Sequence, residues 1–158
     1  MEKTQDSFLE VAEKMVIYHL RGKWLAISKL YNEVASDQGG TMSMAFTLLT
    51  INVEKGTPVT EIAPRLGMEP NSLSRVLKSM EKKGLIYKKR SKSDKRKVYI
   101  CLTDYGKSMR QMTTKAVFSL ENAIQTDVSE QDLKGFFNVM NGIPNALDVL
   151  AKELADIK

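Results

Sequence analysis

Apolar residues recur at helical spacing over most of the chain, and in one short stretch the period changes to two. Ser7-Phe8-Leu9-Glu10 has the form of a capping box, in which hydroxyl and carboxylate satisfy free N–H groups of a first helical turn. Behind it Phe8, Val11, Met15, Tyr18, Gly22 and Leu25 follow at alternating three and four, while Leu20, Ile27, Leu30 and Val34 make a second apolar side. The spacing predicts one long helix from Phe8 to Ala35, stopped by Asp37-Gln38-Gly39-Gly40. At 1.5 Å per residue it would reach about 40 Å, beyond the ~30 Å of a small globule. Something outside its own globule is expected to cover it.

Thr41 or Ser43 can cap a second helix with Phe46, Leu49 and Val53 inward and Gly56 as its terminator. Two short helices follow. Thr60 is placed to cap the first, with Ile62, Ala63 and Leu66 inward, and Gly67 turns the chain. Pro70 suits the first position of the next, which buries Leu73, Val76 or Leu77, and Met80 and ends at Gly84. Asn71, Ser72, Ser74, Arg75 and Lys78 are left on its outer face. Leu85-Ile86-Tyr87 and Val98-Tyr99-Ile100-Cys101-Leu102 read as two short strands around the polar run Lys88 to Lys97, a β-hairpin with a basic tip. Thr103 caps a further helix carrying Met109, Met112, Ala116, Leu120 and Ile124. Ser129-Glu130-Gln131-Asp132 opens a last one with Leu133, Phe136, Met140, Ile143, Leu147, Leu150 and Leu154, and Pro144 inside it predicts a kink near Met140.

Charge sharpens this picture. The net charge of +5 over 158 residues divides unevenly: Thr57 to Arg110 holds 14 Lys/Arg against 5 Asp/Glu, a net +9, and the remainder carries −4. Nine of those cations lie between Lys82 and Lys97. A patch this one-sided suits a polyanionic partner, a nucleic acid or an anionic membrane surface. Several classes fall away. No apolar run approaches the roughly 20 residues that cross a bilayer, and the N-terminus leads into no signal-peptide core, so a soluble cytoplasmic protein is expected. One cysteine and one histidine exclude an internal disulfide and a Cys/His zinc site, leaving only a poor carboxylate metal site. No constellation of acid, base and nucleophile is visible, so the expectation is no enzyme and no cofactor.

Two short helices joined by a tight turn, with Asn, Ser, Arg and Lys toward the outer face of the second, are what a helix-turn-helix needs. Asn and Arg make bidentate bonds to base edges and Lys neutralises phosphate. A β-ribbon bearing Lys92, Lys95 and Arg96 directly afterwards completes a winged helix-turn-helix. The predicted fold is mainly α with a small β-hairpin wing: a winged lobe over 41–102, and a helical dimerisation region made of 1–40 and 103–158.

These residues resemble the multiple-antibiotic-resistance regulators, the MarR family. The likeness lies in Gly67-Met68-Glu69-Pro70-Asn71-Ser72-Leu73-Ser74-Arg75-Val76-Leu77, in Met80-Glu81-Lys82-Lys83-Gly84-Leu85-Ile86, and above all in Asp94-Lys95-Arg96 ahead of Leu102-Thr103-Asp104-Tyr105-Gly106. It extends from about Ser7 to Leu154. The resemblance implies a DNA-binding transcriptional regulator, most often a repressor. Its recognition helix, about 70–83, would lie in the major groove with Asn71, Ser72, Ser74, Arg75 and Lys78 facing the bases. Its wing, about 88–97, would lie in the minor groove or on the backbone, with Arg96 entering the groove and Asp94 holding the wing or a neighbouring Arg. Two features depart from the pattern: Pro64 lies within the first helix of the pair, and Glu69 is a poor N-cap and an anion near phosphates.

The family is homodimeric, and the excess apolar surface of the terminal helices gives an independent reason to expect a homodimer here. Such a dimer would read a pseudo-palindromic operator in double-stranded DNA. The resemblance also implies a pocket for a small aromatic or phenolic effector, which His19, Arg21 and Trp24 could serve. Cys101, in the second strand, is expected to be inert packing. The competing reading is a winged-helix protein-interaction module whose basic wing binds an acidic partner instead of DNA.

Overall fold

The computed structural model describes residues 8–91, 94 and 96–157, and the chain divides into two compact units after Thr114. A short helical segment, α1 (residues 8–12), is followed by a break at 13–15 and then by α2 (Val16–Asp37). The continuous helix expected from Phe8 to Ala35 is therefore in two pieces. The cause is local. Lys14 and Met15 donate to carbonyls three residues back, at 3.0 and 2.9 Å, which tightens the turn, and Met15 then takes extended backbone. The carbonyl of Glu13, which a continuous helix would satisfy from residue 17, is bonded by the His19 ring. The capping box expected at Ser7 falls outside the described residues.

Thr41 caps α3 (Met42–Thr50), its hydroxyl accepting from the Met44 N–H at 3.3 Å. This helix ends at Thr50 rather than near Gly56, because Ile51 is extended and Asn52 folds the chain into a turn, its Oδ1 accepting from the Glu54 and Lys55 N–H groups. Val53 is thus exposed in that turn and not inward. The buried stripe is Met44, Thr47, Leu48 and then Ile51, and Phe46 instead meets Tyr31 of α2 edge to face. Asn32 of α2 also accepts from the Met42 N–H, which ties the end of one helix to the start of the next.

Next comes β1 (Thr57–Pro58), a strand too short to show a period of two and absent from the sequence expectation. It leads directly into α4 (Val59–Leu66), so Thr60 lies inside the helix instead of capping it. Gly67 closes α4 in the left-handed conformation (φ +59°), and the N–H groups of Gly67 and Met68 return to the last turn. Then α5 (Pro70–Lys82) starts with Pro70 in its first turn and buries Leu73, Leu77 and Met80. The sheet follows as β2 (Ile86–Arg90) and β3 (Val98–Leu102), in the order β1-β3-β2, all antiparallel. It has three strands, one more than the expected hairpin. Lys88, Lys89 and Arg90, expected in the tip, are laddered opposite Ile100, Tyr99 and Val98.

One apolar core unites these pieces. Met44, Leu48 and Ile51 of α3 and its end meet Ile62 and Ala63 of α4, Leu73, Leu77 and Met80 of α5, and Leu85, Ile86, Ile100 and Leu102 of the sheet region. The fold is mainly α-helical with a small β wing, as the sequence predicts.

Helix α6 (Asp104–Gln125) is capped by Thr103, whose hydroxyl oxygen accepts from the Gly106 N–H at 2.9 Å. The same hydroxyl donates to the Gly84 carbonyl at 2.6 Å, and the Thr103 N–H donates to Leu85 at 3.1 Å. In the second unit, α7 (Glu130–Asp156) opens with a reciprocal capping box between Ser129 and Asp132 and runs unbroken through Pro144. No residue of α2 or α7 is buried.

Candidate nucleic-acid interface

The outer face of α5 follows from its inner one. With Leu73, Leu77 and Met80 fixed in the core, Asn71, Ser72, Ser74, Arg75 and Lys78 are turned outward, and all five are exposed. Glu69 precedes them with extended backbone and makes no capping bond through its side chain. The hydroxyl of Ser74 donates to the Pro70 carbonyl at 3.0 Å, which leaves its oxygen facing out as an acceptor. Arg75 and Lys78 border a shallow open concavity completed by Ser79, Glu81 and Lys82.

The wing is held by Asp94. Its Oδ1 accepts from the Arg96 backbone N–H at 3.0 Å and, at 3.5 Å, from Arg96 Nε. Its own N–H donates to the Ser91 hydroxyl at 3.3 Å, and its carbonyl accepts from Lys97 at 2.9 Å. A single carboxylate thus shapes the turn while the Arg96 side chain stays 94% exposed. Lys92 and Lys95, the other expected wing contacts, lie outside the described residues.

Sequence reasoning missed the tie between wing and helix. Lys88 of β2 reaches Glu81 of α5 at 2.8 Å, pairing a wing cation with that helix. No local spacing signals such a pair, since it depends on the register of β2 under α5. The packing of α6 against the Gly84–Leu85 junction, through Thr103 and Gly106, gives the Leu-Thr-x-x-Gly motif its physical meaning.

The residues assigned to an effector are not brought together. On a 3.6-residue helix Arg21 and Trp24 lie about 60° apart, but His19 lies roughly 140–160° round from both. His19 is also engaged with the Glu13 carbonyl and stacks edge to face with Tyr18. Cys101 is buried and its Sγ lies beside Gly56.

Comparison with known proteins meets this geometry at the winged lobe. The model of the MarR family matches residues 41–98. Over that lobe the chain is similar to the MarR family and has its winged helix-turn-helix fold. Among curated relatives, the HTH-type transcriptional regulator SarZ of Staphylococcus epidermidis (strain ATCC 35984) is 25% identical over 115 residues, covering 70% of this chain and 78% of SarZ. SarZ of Staphylococcus saprophyticus is 28% identical over 109 residues, covering 68% and 75%. Among solved structures, a complex of S. aureus MepR with DNA superposes with a TM-score of 0.76 at 19% identity, covering 84% of this chain and 98% of MepR. The MarR-family transcription regulator SP03579 gives 0.75 at 18% identity and covers 97% and 98%. At these identities the structures show a shared fold. Among the described residues, no helix is long and apolar enough to cross a membrane.

Proposed function

We propose that this chain is a homodimeric MarR-family regulator of transcription that binds a pseudo-palindromic double-stranded operator, inserting α5 into the major groove and the wing into the adjacent minor groove. The observation that carries this reading is the outer face of α5, where Asn71, Ser72, Ser74, Arg75 and Lys78 are all exposed beside a wing whose Arg96 side chain is exposed to solvent. Asn71 and Arg75 have the donors and acceptors for bidentate base contacts, and Lys78 suits phosphate. The MepR–DNA structure supports it by analogy of fold. Two such lobes about 34 Å apart would read half-sites one helical turn apart.

The test is selection of bound duplexes from a random pool, followed by fluorescence anisotropy. A two-fold symmetric sequence is the expected winner. Arg75→Ala is expected to weaken binding to it and to relax base preference by ~1–3 kcal/mol, whereas Arg96→Ala weakens it with a shallower salt dependence. Unchanged binding by both variants at low salt would exclude the reading.

The finer form of the proposal is a ligand-responsive repressor, in which an effector changes the separation of the two recognition helices so that both no longer fit successive grooves. Arg21 and Trp24 share one side of α2 and offer a cation and an aromatic face to a small aromatic acid. His19, committed elsewhere, is left out of this site. Trp24 is the chain's single tryptophan and is half-exposed, so it reports directly. Titration with benzoate is expected to quench its fluorescence, and Arg21→Ala to weaken that quenching about tenfold. A flat titration in the wild type removes this site.

A further inference from the structure

The pleat of the wing sorts its cations onto two faces. In β2 the side chains alternate, so Ile86, Lys88 and Arg90 share the face that looks toward the core side, and Tyr87 and Lys89 share the other. The register carries this across to the partner strand: Lys88 is opposite Ile100 and Arg90 opposite Val98 on the first face, and Lys89 is opposite Tyr99 on the second. The Ser91 N–H donates to the Lys97 carbonyl at 2.9 Å, which continues the same pairing by one step and puts Lys97 on the face of Lys89. Lys89 and Lys97 are therefore diagonal neighbours, about 7–8 Å apart by the geometry of such pairs.

Their electrostatic situations differ. Lys88 is held by Glu81, and Asp94 is occupied with Arg96. Among the described residues no carboxylate lies within 4 Å of Lys89, Arg90 or Lys97. Two like charges fixed on one face with no counter-charge repel each other in the free protein, and a polyanion relieves that repulsion. A ribbon resting flat on one phosphate strand needs free cations on one face only. This ribbon has them on both.

We infer that the wing straddles the minor groove, with Lys89 and Lys97 on its outer face neutralising the phosphates of one strand and Arg90 on its inner face neutralising those of the other. This rests on the DNA-binding reading above. A groove about 6 Å wide brings both phosphate walls close to a ribbon that enters it, so each face meets a different strand. The wing then contributes to affinity and to the length of DNA covered, while base preference stays with α5.

The experiment uses the full chain and the selected palindromic duplex, with methylphosphonate replacing phosphate at the wing-proximal positions of one half-site only, on one strand or on the other. Wild-type protein is expected to lose affinity on both duplexes. The variant combining Lys89→Ala and Lys97→Ala should become insensitive to neutralisation of one strand, and Arg90→Ala to neutralisation of the opposite strand. Because the dimer carries two wings, the slope of log affinity against log salt should fall by about 3.6 in the double variant and about 1.8 in Arg90→Ala, at roughly 0.9 per phosphate. Lys88→Ala, already paired with Glu81, should change it by less than half of the Arg90 effect. All four positions are exposed or laddered through backbone, so circular dichroism should be unchanged. Loss of sensitivity to the same strand in both variants, or a salt slope that stays at the wild-type value, overturns the straddling wing while leaving the DNA reading intact. Failure of the wild type to bind any selected duplex overturns the DNA reading and this inference with it.

Discussion

Replacing Gly106 with alanine is expected to destabilise the winged lobe by about 3 kcal/mol or more, although alanine is the better helix former. In an open helix the substitution would gain up to ~1 kcal/mol from backbone entropy. Here an added Cβ would stand 1.9 Å from the Leu85 carbonyl oxygen and 2.9 Å from its carbon. Both are backbone atoms, so no side-chain rotation relieves the clash. Leu85 cannot retreat cheaply either, because its carbonyl also accepts from the Thr103 N–H and its side chain lies in the core beside Met80 and Ile86. Steric exclusion therefore outweighs propensity. Urea unfolding at fixed protein concentration should show the midpoint falling by about 1–3 M, taking a slope of 1–3 kcal/mol per M. An unchanged or higher midpoint would mean that α6 does not approach the Gly84–Leu85 junction so closely. The same change should lower DNA affinity through loss of folded protein, with base preference unaltered in the fraction that remains folded.

Gly106 also shows where a sequence is informative and where it stops. Leu102-Thr103-Asp104-Tyr105-Gly106 is legible because each part has a local job: the hydroxyl of Thr103 caps, and Gly106 admits a backbone. Helix pairs with strong punctuation were legible for the same reason, Gly67 and Pro70 marking the turn and Leu73, Leu77 and Met80 the buried stripe. What failed depended on partners distant in sequence or on competition between side chain and backbone. The break between α1 and α2 contains neither Gly nor Pro; it arises because the His19 ring takes a carbonyl that the helix would otherwise use. The early end of α3 comes from Asn52 folding back on the next two N–H groups, a contest that apolar periodicity does not register. β1 is two residues long and exists only through its pairing with β3.

The site divides in the same way. The outward residues of α5 could be read off directly, because fixing one face of a helix fixes the other. The wing could be recognised as basic, but which of its cations are free could not, since that turns on the reach of Lys88 to Glu81 across the lobe and on the pleat register of β2 against β3. His19, Arg21 and Trp24 were grouped by nearness in sequence. A helix separates such neighbours by about 100° per residue, and the grouping dissolves once α2 is drawn.

A pair of charges on α7 should have the largest effect on operator binding of any surface change. Leu147, Leu150 and Leu154 follow at three and four along the helix, each half or more exposed, with Leu147 at 61%. No residue of α7 is buried by the chain itself, and Phe136, Phe137, Val139 and Val149 add to the uncovered apolar area. A soluble protein rarely leaves so much apolar surface in water without a partner, and the homodimer proposed above supplies one. Leu147→Asp combined with Leu150→Asp would place two carboxylates in that interface, where their desolvation is costly. The single chain loses little, because neither leucine is buried in it, so circular dichroism should still report a folded helical protein. Light scattering should find the mass of one chain where the wild type gives two. Operator affinity should fall at least about 10³-fold, because a lone lobe forfeits the effective concentration, near millimolar, that tethers its second copy over the other half-site. A folded double variant that remains dimeric would place the interface elsewhere. One that is monomeric yet binds the palindrome with wild-type affinity would dissociate operator reading from dimer formation.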